Sequence, residues 1–176
     1  EQERDKFDDV ATHLLLRDHD RPEHDQVVGG YRVLTSAGAD QVGQFYCESE
    51  YNLKLLKVSG ERLLELGRSC LHRDYRGGAG LLHLWGALSD YVQAHQIDVL
   101  FGVASFHGTD PQAIAGPLSL LHHQHSAPAH YRVPAIGPTA HPMNLIDKDQ
   151  LDRFSALRNT PALIKAYLRL GGMVGE

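Results

Sequence analysis

The sequence has few cysteines and no long apolar run, and both shortages narrow the class of protein. Cys47 and Cys70 are the only cysteines among 176 residues, too few for a disulfide framework and not at the spacing of metal ligands. No apolar stretch approaches the roughly 20 residues of a membrane-spanning helix, and the acidic opening EQERDKFDD is unlike a signal peptide. We therefore expect a cytoplasmic protein, soluble or peripherally attached to a membrane.

An excess of positive charge is also lacking. The formal net charge is -5 and the pI is about 6.2, which argues against a general nucleic-acid binder, because such proteins use a basic face against phosphates. Histidines are frequent, including His122, His123 and His125, but adjacent helix residues face different ways and no HExxH motif or paired cysteines accompany them. We predict neither a nucleic-acid partner nor a metal site.

The length and the apolar content fit one globular α/β domain. With 176 residues, of which 42% are hydrophobic, the chain is long enough to bury a continuous core and to enclose a ligand cleft. Its aliphatic runs are separated by glycine, proline and charged residues, and no internal repeat or linker divides them. We expect a single core.

The first part of the chain predicts a sheet interrupted by one helix. Residues 13–18 and 27–35 indicate two antiparallel strands, and 43–51 favour a short strand or a turn into a helix. Residues 62–71 indicate a strand before the glycine-rich stretch HRDYRGGAG, after which apolar residues recur at helical spacing. Residues 98–106 are almost all apolar, which is typical of a buried parallel strand. The order predicts a βαβ unit.

Beyond this unit the pattern predicts a helix at 117–125, a strand at 131–136 and a final helix. Thr160 suits the N-cap of that helix, Pro161 its first position, and Gly171 the left-handed position after its end.

The glycine-rich stretch is a candidate anion site. In Arg73–Gly80, RDYRGGAG, glycines allow backbone N–H groups to converge at a helix N-terminus, where the helix dipole favours a phosphate. The Walker pattern fails because no Gly-Lys-Ser/Thr follows, and the dinucleotide pattern G-x-G-x-x-G is not matched. A turn whose glycines only change the chain direction remains the alternative.

With its context, the stretch resembles the core of the GNAT-type acyltransferases. A strand, the loop R-x-x-R-G-G-A-G, an amphipathic helix and a parallel strand follow one another in both. The resemblance implies an α/β fold with a mixed central sheet flanked by helices, in which splayed strands form an acyl-pantetheine cleft. It also implies that an acyl-phosphopantetheine is the cosubstrate and that no cofactor is bound tightly. The residues implied for phosphopantetheine binding are Cys70, Leu71, Arg73, Arg76, Gly77, Gly78 and Ala79.

A finer resemblance is to the bacterial ornithine N-acyltransferases. It is carried by FYCESEYNL, ELGRSCLHRDYRGG, LLHLWGALSDYV and LFGVASFHGTDP, and a more distant one to acyl-homoserine lactone synthases is carried by ERDKFDD, GGYRVL and ELGRS. Both groups take acyl chains from acyl carrier protein. The resemblance implies that residues 1–176 are a single N-acyltransferase domain that lacks natural N- and C-terminal flanks. His107 stands where we expect proline, which keeps another amine acceptor open.

Amide formation needs a proton acceptor for the attacking amine. Glu65, on the strand before the loop, is the candidate, with Arg68 beside it in the E-x-S-R pattern; the alternative is that Glu65 only orients an arginine. Glu48 and Glu50 would share one face if 43–51 were a strand, where they could bind the ammonium groups of a diamino acid. Surface exposure of both is the alternative.

Other side chains are candidates for binding the substrates. Arg32 and Arg68 could hold a carboxylate, or could anchor Glu65 and Asp8 in a structural ion-pair network. Ser105 could contact the thioester. Four arginines near the loop suit an acidic carrier protein, although solvated loop arginines would look the same in sequence. These are Arg62, Arg68, Arg73 and Arg76.

The sequence thus predicts an enzyme that moves a fatty acyl group from acyl carrier protein to the α-amine of ornithine. The resemblance adds that the acyl chain is 3-hydroxylated, that the product is a lyso-ornithine lipid and that any peripheral attachment is to the inner membrane. Two alternatives remain open. One is a synthase of N-acyl amino acids or acyl-homoserine lactones, and the other is a catalytically silent module that binds an acyl carrier or a lipid.

Overall fold

The computed structural model describes residues 4–176, so Glu3 of the ERDKFDD motif and the two residues before it lie outside the description. The described residues form two compact units. The first contains the described residues up to Cys47 together with Gly60–Val103, and the second contains Glu48–Ser59 together with Ala104–Glu176. The expectation of a single N-acyltransferase domain over 1–176 stays a prediction.

A mixed four-stranded sheet belongs to the first unit. Its strands are β1 (Thr12–Arg17), β2 (Val27–Thr35), β3 (Leu63–Leu71) and β4 (Val99–Gly102), hydrogen-bonded in that order. β2 is antiparallel to β1 and to β3, whereas β3 and β4 are parallel. The predicted antiparallel pair and the predicted parallel pairing around the glycine loop are confirmed. β4 is shorter than residues 98–106 and is not the buried strand that was predicted, because it lies at the edge of the sheet and Leu100 is 44% exposed.

The helices of the described residues fall in both units. They are α1 (Ser36–Val42), α2 (Lys54–Lys57), α3 (Gly80–Ala94), α4 (Ala115–His125), α5 (Arg153–Asn159) and α6 (Ala162–Arg169). In the first unit, α3 joins β3 to β4 and completes the predicted βαβ unit. Within residues 4–176, no helix has the length and apolar content needed to cross a membrane.

One face of the sheet packs against α3. Tyr31 and Val33 of β2 and Leu64 of β3 are buried in one cluster with Leu84 and Leu88 of α3. Strand residues two apart share a sheet face, and helix residues four apart share a helix face. Because full burial of each large apolar side chain contributes about 1.5–3 kcal/mol, this cluster fixes α3, and with it the glycine loop from which α3 begins.

A bulge in β3 changes which side chains face α3. The register between β2 and β3 shifts between Gly30 and Arg32, and Arg68 has a φ of 47°, in the left-handed region that few non-glycine residues adopt. Leu66 and, beyond the bulge, Leu71 both pack against the α3 cluster. In a regular strand, two residues that are five positions apart would point to opposite faces of the sheet.

β3 extends beyond its parallel partner. The pairing joins Leu63–Leu66 to Val99–Gly102, while β3 continues to Leu71. A Cβ atom at Gly102 would lie 2.4 Å from the carbonyl oxygen of Leu66, so glycine permits this close approach at the last pair. The two strands stop pairing directly after this pair, where the predicted fold has its splayed strands.

Of the two alternatives predicted for residues 43–51, the turn into a helix is the one that forms, with a 3₁₀ turn at Tyr46–Ser49 ahead of α2. The strand predicted at 131–136 is wrong. Residues 131–136 are irregular and make an isolated bridge between Ala135 and Tyr51. Pro134 interrupts any longer ladder there, because proline has no N–H group to donate.

The predicted final helix is present, but its N-cap differs. Thr160 is the C-cap of α5, and its hydroxyl donates to the Ala156 carbonyl at 2.9 Å, whereas Pro161 is the N-cap of α6. The predicted helix at 117–125 is confirmed as α4, and Gly171 is left-handed, with a φ of 86°.

Candidate active site

Within the ERDKFDD stretch, the segment from Asp5 to Asp8 folds into a compact turn that precedes β1. The Asp5 N–H donates to Oδ2 of Asp8 at 2.8 Å, and the Phe7 N–H donates to Oδ1 of Asp5 at 2.9 Å. The Phe7 ring is buried. Both carboxylates are thereby oriented by backbone donors within their own turn, and Phe7 anchors this turn to the first unit.

Arg32 of β2 is buried and binds this turn. Its Nη1 donates to Oδ1 of Asp5 at 2.7 Å and to Oδ1 of Asp8 at 2.8 Å, and only 5% of its side chain is exposed. The guanidinium also lies over the rings of Phe7 and Tyr46, 5.7 Å and 5.4 Å from their centroids. A buried cation is stable only when it is paired, and here carboxylates and aromatic rings surround it.

Arg68 joins the same network from the β3 bulge. Its Nη2 donates to Oδ2 of Asp5 at 3.0 Å, so Asp5 bridges two arginines. Burial alone would raise the pKa of Asp5, but hydrogen bonds from Arg32, Arg68 and the Phe7 N–H outweigh burial and lower this pKa to about 2. The structure therefore brings Asp8, Arg32 and Arg68 together as an ion-pair network, the structural alternative that the sequence left open.

Glu65 lies on the opposite face of β3 from Leu64 and is almost fully buried. Its Oε2 accepts the Tyr46 N–H at 2.7 Å, and its Oε1 accepts the Cys47 N–H at 2.8 Å. It pairs with Phe101, one position before the β3–β4 pairing ends. The side chain thus holds a backbone turn and also lies next to the point where the strands stop pairing. Its role as a proton acceptor stays a prediction.

Three of the predicted site residues belong to the second unit. Glu48 accepts hydrogen bonds from Nζ of Lys57 at 2.9 and 3.2 Å, and the Glu50 side chain is exposed. The shared strand face, which required 43–51 to be a strand, does not form, because Tyr46–Ser49 is a 3₁₀ turn. Ser105 is exposed, beyond the end of β4.

The glycine loop links β3 to α3 and is open to solvent. Arg76 is extended, Gly77 is left-handed with a φ of 79°, and α3 starts at Gly80. Ala79, at the N-cap, carries no side-chain acceptor for the first amides of the helix. An anion would supply that missing acceptor and meet the positive end of the helix dipole.

Most of the loop is free of packing constraints, but its ends are fixed. A Cβ atom at Gly78 would meet nothing within 4 Å, whereas at Gly80 it would lie 3.1 Å from Cδ1 of Leu71. The Tyr75 hydroxyl donates to the Asp18 carboxylate beyond β1. A cleft of about 410 Å³ borders Gly78 and Gly80.

The predicted arginine patch divides into two pairs. Arg62 binds both carboxylate oxygens of Asp98 at 2.9 Å, and Arg68 binds Asp5. Arg73 is 84% exposed, and Arg76 is exposed while its Nε donates to the Leu71 carbonyl at 2.9 Å. The loop arginines are thus the pair accessible to an acidic partner.

Sequence reasoning missed the partners of two candidate site residues, Glu65 and Arg32. The amides of Tyr46 and Cys47 bind Glu65, and the Tyr46 ring covers Arg32, but backbone donors and ring positions leave no local sequence pattern. The Asp18–Tyr75 bond joins residues 57 positions apart.

No group of three or more potential ligands among residues 4–176 is positioned to hold a metal ion.

Comparison with known proteins identifies the class of this fold. Residues 1–86 match the acetyltransferase (GNAT) domain family. This segment contains β1, β2, β3, the glycine loop and the first half of α3. Together with the parallel strand β4, these elements define a GNAT-type acyltransferase.

The particular family follows from three relatives, each an L-ornithine N(alpha)-acyltransferase. The chain is 56% identical to that of Rhodobacter capsulatus over 99% of the chain and 67% of the relative. Identities are 41% for Brucella abortus, over 100% of the chain and 64% of the relative, and 38% for Agrobacterium fabrum, over 98% and 60%. The chain belongs to the L-ornithine N(alpha)-acyltransferase family, and it spans about two thirds of the length of these relatives. No solved structure matches it significantly.

Replacing Asp5 by asparagine should remove an acid-sensitive part of the stability. The lowered pKa of Asp5 means that its ionised form stabilises the fold above about pH 4, and that this contribution is lost as the pH falls towards about 2. At pH 7, Asp5→Asn should lower the free energy of unfolding by on the order of 1 kcal/mol, because solvent partly screens this side chain. Urea unfolding at a series of pH values measures the difference.

The matched control is Asp9→Asn, which makes the same charge change at an exposed carboxylate paired with Arg4. An exposed pair contributes little, so this variant should unfold like the wild type. A stability loss in Asp5→Asn that stayed constant from pH 7 to pH 3 would contradict the assignment.

Proposed function

We propose that this chain transfers a 3-hydroxylated fatty acyl group from acyl carrier protein to the α-amine of ornithine, which gives a lyso-ornithine lipid. The observation that carries the proposal is the 56% identity over 99% of the chain to an L-ornithine N(alpha)-acyltransferase. The GNAT sheet and its open glycine loop support transfer from a phosphopantetheine thioester. We propose a cytoplasmic enzyme that associates peripherally with the inner membrane.

The phosphate of the donor would bind at the start of α3. Arg76, Gly77, Gly78 and Ala79 would surround it with backbone groups, and Cys70, Leu71 and Arg73 would flank the arm. This arrangement is supported by the exposure of the loop, by its left-handed glycine and by an N-cap without a side-chain acceptor. The thioester would then lie beside the end of the β3–β4 pairing, where β3 leaves β4.

The reaction requires a proton to leave the amine. The α-ammonium of an amino acid is mostly protonated near neutral pH, so a base must take its proton before the nitrogen attacks the thioester carbonyl carbon. In the tetrahedral intermediate the nitrogen gives up a second proton, the carbon–sulfur bond breaks, and the departing pantetheine thiolate takes up that proton. No covalent intermediate with the protein is needed.

Glu65 is the carboxylate that we propose for this task, acting directly or through a water molecule. It is buried on the sheet face opposite α3, at the last but one pair before the strands stop pairing. The N–H groups of Tyr46 and Cys47 hold both of its oxygens in fixed positions. A carboxylate fixed in this way is placed to accept a proton from a bound amine, directly or through water.

The ion-pair network around Arg32 would contribute to the reaction by holding other parts of the site in position. Arg32 holds the Asp5–Asp8 turn and contacts the Tyr46 ring, and the Tyr46 N–H binds Glu65. Asp8 and Arg68 complete this network. We propose that these residues shape the acceptor side of the site. Glu48, Glu50 and Ser105 remain proposed contacts for the substrates.

The reaction itself is the first test. The purified chain, supplied with 3-hydroxyacyl carrier protein and ornithine, should form an amide that mass spectrometry identifies as one acyl chain on the α-nitrogen. The carrier should be a better donor than the coenzyme A thioester of the same acyl chain, and high salt should weaken its advantage, because Arg73 and Arg76 suit an acidic partner. Equal use of the two donors would contradict the proposed preference for acyl carrier protein. Acylation of another amine and not of ornithine would contradict ornithine as the acceptor.

Gly78→Val tests the phosphate loop without disturbing the fold. A Cβ atom at this position has free space, and its φ lies outside the left-handed region, so the variant should unfold like the wild type. Its bulk would occupy the space of the phosphate, and kcat/KM should fall by roughly 100-fold, the loss expected when a bound group is displaced by about 1 Å or more. Gly86→Val is the matched control, because Gly86 is also exposed and unhindered. Unchanged turnover in Gly78→Val would contradict the proposal that the glycine loop binds the donor phosphate.

Glu65→Gln separates the catalytic role from the structural one. An amide can accept one of the two N–H groups but turns its own NH₂ towards the other, so stability should fall by about 1–3 kcal/mol in either case. Loss of a general base should in addition lower kcat by roughly 100-fold, with partial recovery at high pH, where the amine is already neutral. Glu48→Gln and Glu50→Gln, assayed in parallel, should keep the wild-type pH profile. A Glu65→Gln enzyme with a wild-type pH profile would leave Glu65 with the structural role only.

A further inference from the structure

The outer face of α5, in the second unit, exposes two large apolar side chains. Phe154 is 90% exposed and Leu157, one turn later, is 46% exposed. The opposite side of α5 is packed: Ala156 is buried, and a Cβ atom at Gly116 of α4 would contact it at 3.6 Å. Thr160 is buried and caps the helix through the Ala156 carbonyl. The orientation of α5 is therefore fixed, and Phe154 points away from the core of this unit.

Arginines flank these apolar side chains on both sides. At 100° per residue, the order around α5 is Arg153, Leu157, Phe154 and Arg158, and both arginines are exposed. We call these four residues the α5 face. Nζ of Lys165 donates to the Arg158 carbonyl at 3.3 Å, which brings a third cation beside it.

The surrounding sequence is unusually free of negative charge. From Arg153 to Gly175 the chain has four basic residues and no aspartate or glutamate, although the whole chain has a net charge of -5. The basic residues are Arg153, Arg158, Lys165 and Arg169. This local positive charge therefore adjoins the apolar side chains of the α5 face, in a chain that is otherwise acidic.

We infer that the α5 face is the surface by which this protein contacts an anionic lipid bilayer. Aromatic and aliphatic side chains bracketed by arginines can enter the interface region of a bilayer while the cations bind lipid phosphates. An acidic protein would pair with the arginines but would need a matching apolar pocket for Phe154. A lipid interface needs no such pocket. The inference rests on the proposed peripheral association with a membrane and not on the chemistry of acyl transfer.

Sedimentation with vesicles tests this inference without an activity readout. The 176-residue chain should co-sediment with phosphatidylcholine vesicles that contain about one third phosphatidylglycerol, bind pure phosphatidylcholine weakly, and be released by high salt. Phe154→Ser should lower the partition coefficient roughly tenfold, and Arg153→Gln with Arg158→Gln should lower it roughly tenfold or more. Val58→Ser is the matched control, because Val58 is 71% exposed elsewhere in the second unit, and it should bind like the wild type.

Each outcome decides one part of the inference. If the wild type does not bind anionic vesicles, the proposed membrane association fails; if it binds and both α5 variants bind equally well, only the surface assignment fails. If the α5 variants instead weaken binding to acyl carrier protein, or change the oligomeric state in the absence of vesicles, the occupant of the surface is a protein and the inference is overturned. Ornithine acylation measured without membranes should be unchanged in all of them.

Discussion

The buried guanidinium of Arg32 is the interaction on which the candidate site depends. With 5% of its side chain exposed, Arg32 must be paired, and Asp5 and Asp8 from the turn before β1 supply both charges. A buried cation left without its counter-charges is destabilising, because nothing then offsets the cost of its desolvation. This cost ties the N-terminal turn to the sheet face opposite α3. The Tyr46 ring, which packs on the same guanidinium, brings the Tyr46 and Cys47 amides to Glu65.

The two faces of the sheet thereby serve different tasks. On one face, leucines and Tyr31 fix α3 and the loop at its N-terminus. On the other face, polar and aromatic residues hold a buried carboxylate close to the point where β3 and β4 stop pairing. The bulge at Arg68 serves both faces, since it returns Leu71 to the α3 side and lets Arg68 reach Asp5. A strand without this bulge could either direct Leu71 towards α3 or direct Arg68 towards Asp5, but not both.

The sequence allowed the sheet and its crossover helix to be predicted because they depend on local patterns. Alternating or continuous apolar residues mark β1 to β4, and glycines mark the loop before α3. The strand at 131–136 was predicted wrongly, because Pro134 blocks a ladder. The sequence left a strand and a turn open at 43–51, because the first amide of the Tyr46–Ser49 turn binds Glu65, 19 residues away. Thr160 has the chemistry of an N-cap, but its hydroxyl donates to the Ala156 carbonyl, four residues earlier, at the end of α5. Motif resemblance named Glu65, Arg32 and Asp8 as site residues, whereas their contacts with one another and with Tyr46 required the structure.

The central claim is that the glycine loop and the end of the β3–β4 pairing form one site for an acyl-phosphopantetheine. A crystal structure of this chain with a non-hydrolysable acyl-pantetheine phosphate tests it most directly. The account predicts phosphate oxygens within hydrogen-bonding distance of the backbone N–H groups of residues 77–79, with the pantetheine arm beside β3 where β4 no longer pairs with it. Density for the phosphate in the cleft beside Asp18 and His83, away from those amides, or an arm that leaves β3 entirely, would contradict it.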